Sequence, residues 1–415
     1  MVERRDGTGN GPHLLRRLSR SAVLRRLRDH AADGAAVTAS ELVAATGLSR
    51  PAVGRALVDL DERGLITELA SARPLGAGRP ARRFRFAADR GLVAGLEVGP
   101  QQVQVLIADL AGQVLTEHRV ATTPAAPTVL TAAADATRRA VRDLGRQPGD
   151  LWAVGVGSPG VVDPDAGAVR LAPSIPGWAG LPVSRVLGER LGCPVLIDND
   201  VNLATLAERL SGAGRDHRNF AFVYWDERVG SGLVFDGQQY RGSHFAAGEV
   251  GFLQAAPGAT SSTLGAFEDR VGLPGLLRTL DSAPAELAAV LRSVPEDDRL
   301  ATLFGCAEPA GAAKLSAPEP VVVQAESLCR KLIADFCDGV AALVLVADPG
   351  MLVLGGRVAQ AGPPVLRRVR EQLRERVLTD PEIVGSELGE RAVCLGAMHR
   401  ALETVDARLE QAISS

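Results

Sequence analysis

The chain is poor in lysine. Only Lys314 and Lys331 occur among 46 basic residues, so nearly all of its positive charge is arginine. Codon bias in a GC-rich genome accounts for that without invoking function. Cysteine is sparse too: Cys193, Cys306, Cys329, Cys337 and Cys394 are scattered and form no CxxC pair. The pattern excludes a disulfide framework and fits small buried thiols in a reducing compartment. No run reaches the roughly 20 apolar residues a membrane-spanning helix needs. The best, 339–356, is interrupted by Asp348 and Pro349. The first residues are Arg-rich and lack the apolar segment of a signal peptide. A cytoplasmic protein with no membrane partner is expected.

The charge that is present is unevenly placed. Residues 1–90 hold 17 Arg against 10 Asp and Glu, a balance of +7, which leaves −10 for residues 91–415 out of a total of −3. At 415 residues the chain has room for two or three domains. A basic head on an acidic body suggests that the head meets phosphate and the body does not.

The head carries the most informative stretch, Thr38 to Leu69. Ser40 is placed to cap a short helix with Leu42, Val43 and Ala45 on its apolar face. Gly47 supplies the turn, Ser49 caps a second helix, and Pro51 sits in its first turn. Val53, Leu57 and Leu60 follow at helical spacing and bury one face, leaving Arg50, Gly54 and Arg55 on the other. A short helix of this kind fits the major groove of a double-stranded DNA operator.

Before it, 1–12 reads as disordered and His13–Asp29 as a helix with Leu15, Leu18, Val23, Leu24 and Leu27 as its apolar positions. After it, Leu65–Leu69 and Arg82–Phe86 read as two strands around a Gly/Pro loop, so 13–88 is a winged helix-turn-helix. The loop's Gly78-Arg79-Pro80 is either a minor-groove contact or a plain linker. The candidate DNA-contacting residues are Thr38 and Ser49 for phosphates and Arg50 and Arg55 for base edges or phosphates. Arg79, Arg82, Arg83 and Arg85 supply salt-sensitive attraction.

From Gly91 the pattern changes to strands at Leu92–Glu97, Val103–Asp109 and Gln113–His118, a helix near Thr128–Leu144, and a strand at Trp152–Val156. Strands at Phe220–Tyr224, Gly232–Phe235 and Gln238–Arg241 begin a second such unit. A helical region near Pro320–Val346, a strand at Met351–Leu354, and Gly355-Gly356 opening the next helix complete it. The fold class is α/β: a winged head plus a two-lobed, ribonuclease-H-like body of the actin/sugar-kinase type. The first lobe is 91–198, the second 199–390, and a helix in 391–415, centred on Ala397–Glu410, packs back on the body.

With its segments Gly155-Val-Gly-Ser-Pro-Gly160, Ile197-Asp-Asn-Asp-Val-Asn202, Gly242–Gly251, Val353-Leu-Gly-Gly356 and Leu395-Gly-Ala397 in order, the chain resembles the ROK family of repressors, open reading frames and sugar kinases. The winged head is what the family's repressor branch carries. Asp200, after Asn199, matches the family's catalytic Asp; the alternative is that it only caps the helix starting near Val201. The first phosphate loop, D-x-G-G-T in the family, is Glu97-Val98-Gly99-Pro100-Gln101 here. The second, G-T-G-x-G-x-G, is Asp226-Glu-Arg-Val-Gly-Ser-Gly232. Pro100 deletes a donor N–H, and the two carboxylates would repel a polyphosphate. The resemblance therefore implies no kinase activity.

It also implies no zinc and no other cofactor. The family's zinc ligands are a His after G-E-x-G and three Cys. Here Phe252 follows Gly248-Glu249-Val250-Gly251, no cysteine lies in 254–268, and apolar packing around Phe252 stands in for the metal. By the same resemblance, Asn199, Asp200, Glu249, Phe252 and Glu268 are the candidate effector-binding residues. The ligand is a sugar or sugar derivative, with Phe252 stacking on it or blocking it. The resulting expectation is a transcriptional regulator, a repressor, working as a homodimer or homotetramer on two half-sites. A sugar kinase with an accessory head and a ligand-independent DNA-binding protein are the alternatives.

Overall fold

The computed structural model describes residues 11–31, 35–69, 82–253 and 265–414. In the head, α1 (Gly11–Asp29) is followed by β1 (Val37–Thr38), α2 (Ala39–Thr46), α3 (Arg50–Glu62), β2 (Ile66–Leu69) and β3 (Arg83–Phe86). Helix α1 starts at Gly11, so only 1–10 of the tract read as disordered lies outside the described residues. Thr38, not Ser40, caps α2. Its Oγ1 accepts from the Glu41 amide at 3.2 Å, and its own amide donates to Glu41 Oε2 at 2.6 Å. This reciprocal box satisfies two otherwise orphaned N–H groups.

Gly47 ends α2 at φ 67°, a left-handed conformation that costs a glycine nothing. Ser49 caps α3 through Ala52 N at 3.4 Å. Helix α3 buries Val53, Ala56, Leu57 and Leu60, and α1 buries Val23, Leu24 and Leu27. Leu15 and Leu18, expected on that apolar face, are exposed, and so is Ala45 of α2. Strand β3 pairs with β2 on one side and β1 on the other, with Phe84 and Phe86 facing the core and Arg83 and Arg85 facing out. The loop 70–81, which carries Arg79, is outside the described residues.

The first lobe is built on β4 (Leu92–Val98), β5 (Gln102–Asp109), β6 (Val114–Ala121), β7 (Leu151–Ser158) and β10 (Val195–Asn199), in the order β10-β7-β4-β5-β6. Helix α4 (Ala126–Asp143) covers one face of it. The β8 (Val161–Asp163) and β9 (Ala168–Leu171) hairpin and α5 (Val183–Leu191) lead to β10. Strands β4 and β5 are buried almost throughout, whereas the edge strand β6 alternates.

The second lobe begins with α6 (Asp200–Ser211) and has a sheet of β11 (Phe220–Trp225), β12 (Val229–Phe235), β13 (Gln238–Tyr240), β14 (Met351–Gly355) and β15 (Glu382–Gly385), ordered β13-β12-β11-β14-β15. Among the described residues between β13 and β14 lie five short α-helices the sequence pattern does not announce: α7 (Ala266–Val271), α8 (Leu273–Asp281), α9 (Ala285–Arg292), α10 (Arg299–Cys306) and α11 (Pro309–Lys314). They precede the long α12 (Glu319–Ala347), whose Phe336 stacks on Trp225 under the sheet. Gly355-Gly356 does not open a helix directly. A 3-10 turn intervenes, and α13 begins only at Pro363 (Pro363–Arg374).

The last helix, α14 (Ala392–Ser414), starts five residues before the expected Ala397. It lies flat on the first lobe's sheet; a Cβ on Gly155 of β7 would meet the carbonyl of Ala397. Its far end packs against α1. Val405, Leu409 and Ile413 share one apolar cluster with Val23, Leu24 and Leu27 of the head and with Val93 and Leu106 of the sheet.

Candidate functional site

On the head, Arg50 and Arg55 are both exposed, Arg50 at the start of α3 and Arg55 on the side opposite its buried residues. Arg50 donates to Ser40 Oγ at 3.1 Å. Ser49 and Thr38 are committed to helix capping, and the Thr38 hydroxyl also donates to Glu41 Oε2 at 2.8 Å. Thr38 holds the Glu41 carboxyl below its usual range, chiefly by donating its amide and then its hydroxyl. Arg82 forms a two-pronged ion pair with Glu68, and Arg83 donates to the Ala36 carbonyl at 2.7 and 3.2 Å. Arg82 and Arg83 thus have local partners that DNA would have to replace.

Asn199 and Asp200 stand where β10 turns into α6, between the lobes. Asn199, not Asp200, is the cap: its Oδ1 accepts from Asn202 N at 2.9 Å, and its Nδ2 donates to the Gly160 carbonyl at 2.9 Å. That amide holds the chain in place on both sides. Asp200 is the first helical residue, accepts from the Val201 amide at 2.8 Å and is partly exposed. Burial pushes its carboxyl up to about 7; the Val201 amide opposes this and the charge of Glu249 adds to it. Glu97, at the end of β4, is pushed up to about 8 by burial and then by the charge of Asp200. Burial and then Glu268 raise Glu249 as well. The cleft therefore gathers partly buried carboxyl groups, a lining that can exchange hydrogen bonds with hydroxyls.

Two of the proposed ligand residues sit differently from the sequence expectation. Glu268 is largely buried and already held, by Arg228 at 2.7 Å and by the Val229 amide at 3.0 Å. Phe252 lies in the 3-10 turn Val250–Phe252 and is 52% exposed, so it is not the centre of an apolar cluster replacing a metal.

The loops facing the second lobe are filled from within. The Gly99 amide donates to the Gln102 carbonyl at 2.9 Å, and Pro100 has none to offer. Asp226 is neutralised rather than repelling: its Oδ2 accepts from the Arg357 amide at 2.9 Å and its Oδ1 from Arg357 Nε at 2.8 Å. The same guanidinium reaches Glu227 Oε1 at 3.0 Å. Sequence reasoning missed Arg357, although it directly follows Gly355-Gly356. It also missed a contact that ties the lobes together. Arg241 of the second lobe pairs with the buried Asp198 of the first at 2.7 and 3.0 Å, and within the second lobe Gln239 donates to the Asn202 carbonyl at 2.6 Å.

These features fit what the chain is similar to. A xylose repressor of Caldicellulosiruptor bescii is 23% identical to it, over 93% of this chain and 95% of the relative. A glucokinase of Streptomyces coelicolor is 26% identical, over 75% of this chain and 98% of that one, and so leaves a quarter of this chain unmatched. Among solved structures, a ROK family transcriptional regulator described as a homolog of the E. coli MLC protein aligns over 97% of this chain and 99% of its own. Its TM-score is 0.72 at 19% identity, a likeness of fold that includes the head. The ROK family model matches residues 93–304, about half of the chain and the part that holds the cleft. With both lobes, the interlobe carboxylates and this match in agreement, the chain belongs to the ROK family.

Proposed function

We propose that the chain is a DNA-binding transcriptional repressor whose kinase-like body senses a sugar. The observation that carries this reading is the pairing of a basic winged head with a cleft that keeps its hydroxyl-accepting carboxylates while its phosphate side is closed by the Asp226–Arg357–Glu227 ion pairs. Similarity to a xylose repressor along nearly the whole chain supports it. The candidate contacts are Arg50 and Arg55 on DNA bases and backbone, with Ser49, Thr38, Arg82 and Arg83 around them; Arg79 is a candidate on sequence alone. Asp200 and Glu249 contact the sugar; Asn199 and Glu268 position the cleft, and Phe252 stands at its rim.

Binding sugar in the cleft favours one lobe arrangement, and DNA affinity changes only by the ligand's differential affinity for the two arrangements. The loops fit a nucleotide poorly: the Gly99 amide is spent on the Gln102 carbonyl, Pro100 has no N–H, and Arg357 is engaged by Asp226 and Glu227. The body is further read as free of zinc, because Phe252 occupies the histidine position and 254–268 has no cysteine. Two half-sites on an operator call for a dimer or tetramer.

Genomic fragments selected on the immobilised full chain test the reading. Fragments that a pentose or hexose from a sugar panel releases support it; a chain that retains no fragment above random DNA contradicts it. The glucokinase similarity supports a second reading, ATP-dependent sugar phosphorylation with Asp200 as base. Turnover of ATP across the same sugar panel with Mg²⁺ decides between them.

A further inference from the structure

The direct connection between head and body is short and pinned. The Ala88 carbonyl accepts from the Leu110 amide at 3.0 Å, and the Ala87 amide donates to the Leu65 carbonyl at 3.0 Å. A second connection runs through α14, which touches both functional ends of the molecule. Its N-terminal half is in backbone contact with α6, the helix whose first residue is Asp200. A Cβ on Gly396 would meet the carbonyl of Leu203, so the two helices cannot slide independently. The same half is seated on the first sheet, where the Cys394 thiol reaches the Gln104 carbonyl at 3.7 Å.

The C-terminal half holds the head. Besides Val405, Leu409 and Ile413 packing on Val23, Leu24 and Leu27, Asp406 pairs with Arg28, and Glu410 Oε2 accepts from Ser21 Oγ at 2.6 Å. A single helix of 23 residues spans about 35 Å, enough to join the cleft and the head without a hinge. The head end is the looser one. A cavity of about 420 Å³ opens beside it, lined by Ser21, Leu24, Arg28, Asp406 and Leu409. A seam of side chains, part apolar and part polar and flanked by open space, can re-seat, whereas backbone-to-backbone packing transmits displacement.

We propose that α14 is the transmission rod of this regulator: a shift of α6 at the cleft is carried through the Gly396–Leu203 contact and re-seats α1 on Asp406 and Glu410. This rests on the sugar-sensing repressor reading, and it places the coupling in the C-terminal helix rather than in the short connection at Ala87 and Ala88. Leu203 and the α1 seam touch neither DNA nor the cleft carboxylates, so they are positioning residues.

The test uses hydrogen exchange on the full chain with no DNA and no ligand. Leu203→Ala removes the side-chain packing that Leu203 shares with Val393 and Ala397 of α14 and so loosens the α6–α14 contact. The expected result is exchange about threefold or more faster in Val23–Leu27 of α1 as well as in α6. In a Ser21→Ala, Asp406→Ala background the polar contacts of the seam are already gone, and adding Leu203→Ala changes α1 less than it does in the parent chain. Should Leu203→Ala fail to fold, Leu203→Val removes a single methylene at the same contact. Faster exchange confined to α6 and the first half of α14 overturns the proposal, and so does an equal effect on α1 in both backgrounds. Since no sugar is added, failure here leaves the sensor reading standing, and failure of sugar binding leaves the mechanical result standing.

Discussion

Arg357 grips Asp226 twice, with its backbone amide on one carboxylate oxygen and its Nε on the other, across 131 residues of chain. Asp226 is buried, so removing its partner leaves a carboxylate with little water to solvate it. Arg357→Ala is expected to destabilise the protein by ~2 kcal/mol, less than a fully buried pair because the guanidinium is 41% exposed. Chemical denaturation measures this. An Asp226→Asn, Arg357→Gln double variant, which hydrogen bonds without charge, is expected to recover part of the loss without gaining ATP turnover.

Asp200→Ala is expected to abolish the response of DNA binding to sugar while leaving operator affinity without sugar within about twofold. Asn199→Ala behaves differently. It removes the α6 cap and the tie to Gly160, and is expected to cost ~1–2 kcal/mol of stability as well as sugar response. Calorimetric sugar titration alongside thermal unfolding separates the two.

Glu97 and Asp200 give the protein a pH dependence of definite sign. Both carboxyls are raised in the folded state, so the folded chain binds more protons than the unfolded chain between about pH 4 and the folded values of about 7 and about 8. Stability from these groups is fully present below the unfolded carboxylate range and is lost as pH rises through 7 to 8. Glu97→Gln, which stays neutral, is expected to flatten that decline. It should raise the midpoint of thermal unfolding near pH 8.5 by ~2–4 °C, on the order of 1 kcal/mol after allowance for the open cleft.

Thr38 is assigned by the structure to a helix cap. Thr38→Ala is expected to lower head stability by ~1 kcal/mol and Thr38→Ser to preserve it, measured as local exchange in α2. A loss of DNA affinity in the Ala variant beyond this change in stability would indicate a direct phosphate contact.

The head was nearly legible from the sequence because its signals are local: a cap, Gly47, Ser49-Arg50-Pro51 and apolar residues three and four apart. The one misplaced cap, Ser40 for Thr38, followed from not weighing Glu41 three residues after Thr38 as the second half of a capping box. Eight strands of the two lobes were legible from short apolar runs bounded by turns, but β8, β9, β10 and β15 were not read from the sequence. The cleft was half legible. Asp200 and Glu249 follow a motif, but Arg357, Arg241 and the closing of Glu268 by Arg228 depend on pairings 131, 43 and 40 residues apart, which no periodicity records. The docking of α1 on α14 was hidden for the same reason. The exposure of Leu15 and Leu18 was hidden because a helical period does not say where a helix outruns its support.

The central claim, that the head reads DNA through α3, is met most directly by fluorescence anisotropy of the full chain on its own upstream DNA. The titration is run against salt and repeated with Arg50→Ala, Arg55→Ala. Each good arginine contact is worth ~1–3 kcal/mol, so the account predicts sequence-specific, salt-sensitive binding that falls by about 30-fold or more in the double variant with its fold intact. Specific binding that the double variant retains undiminished would contradict it.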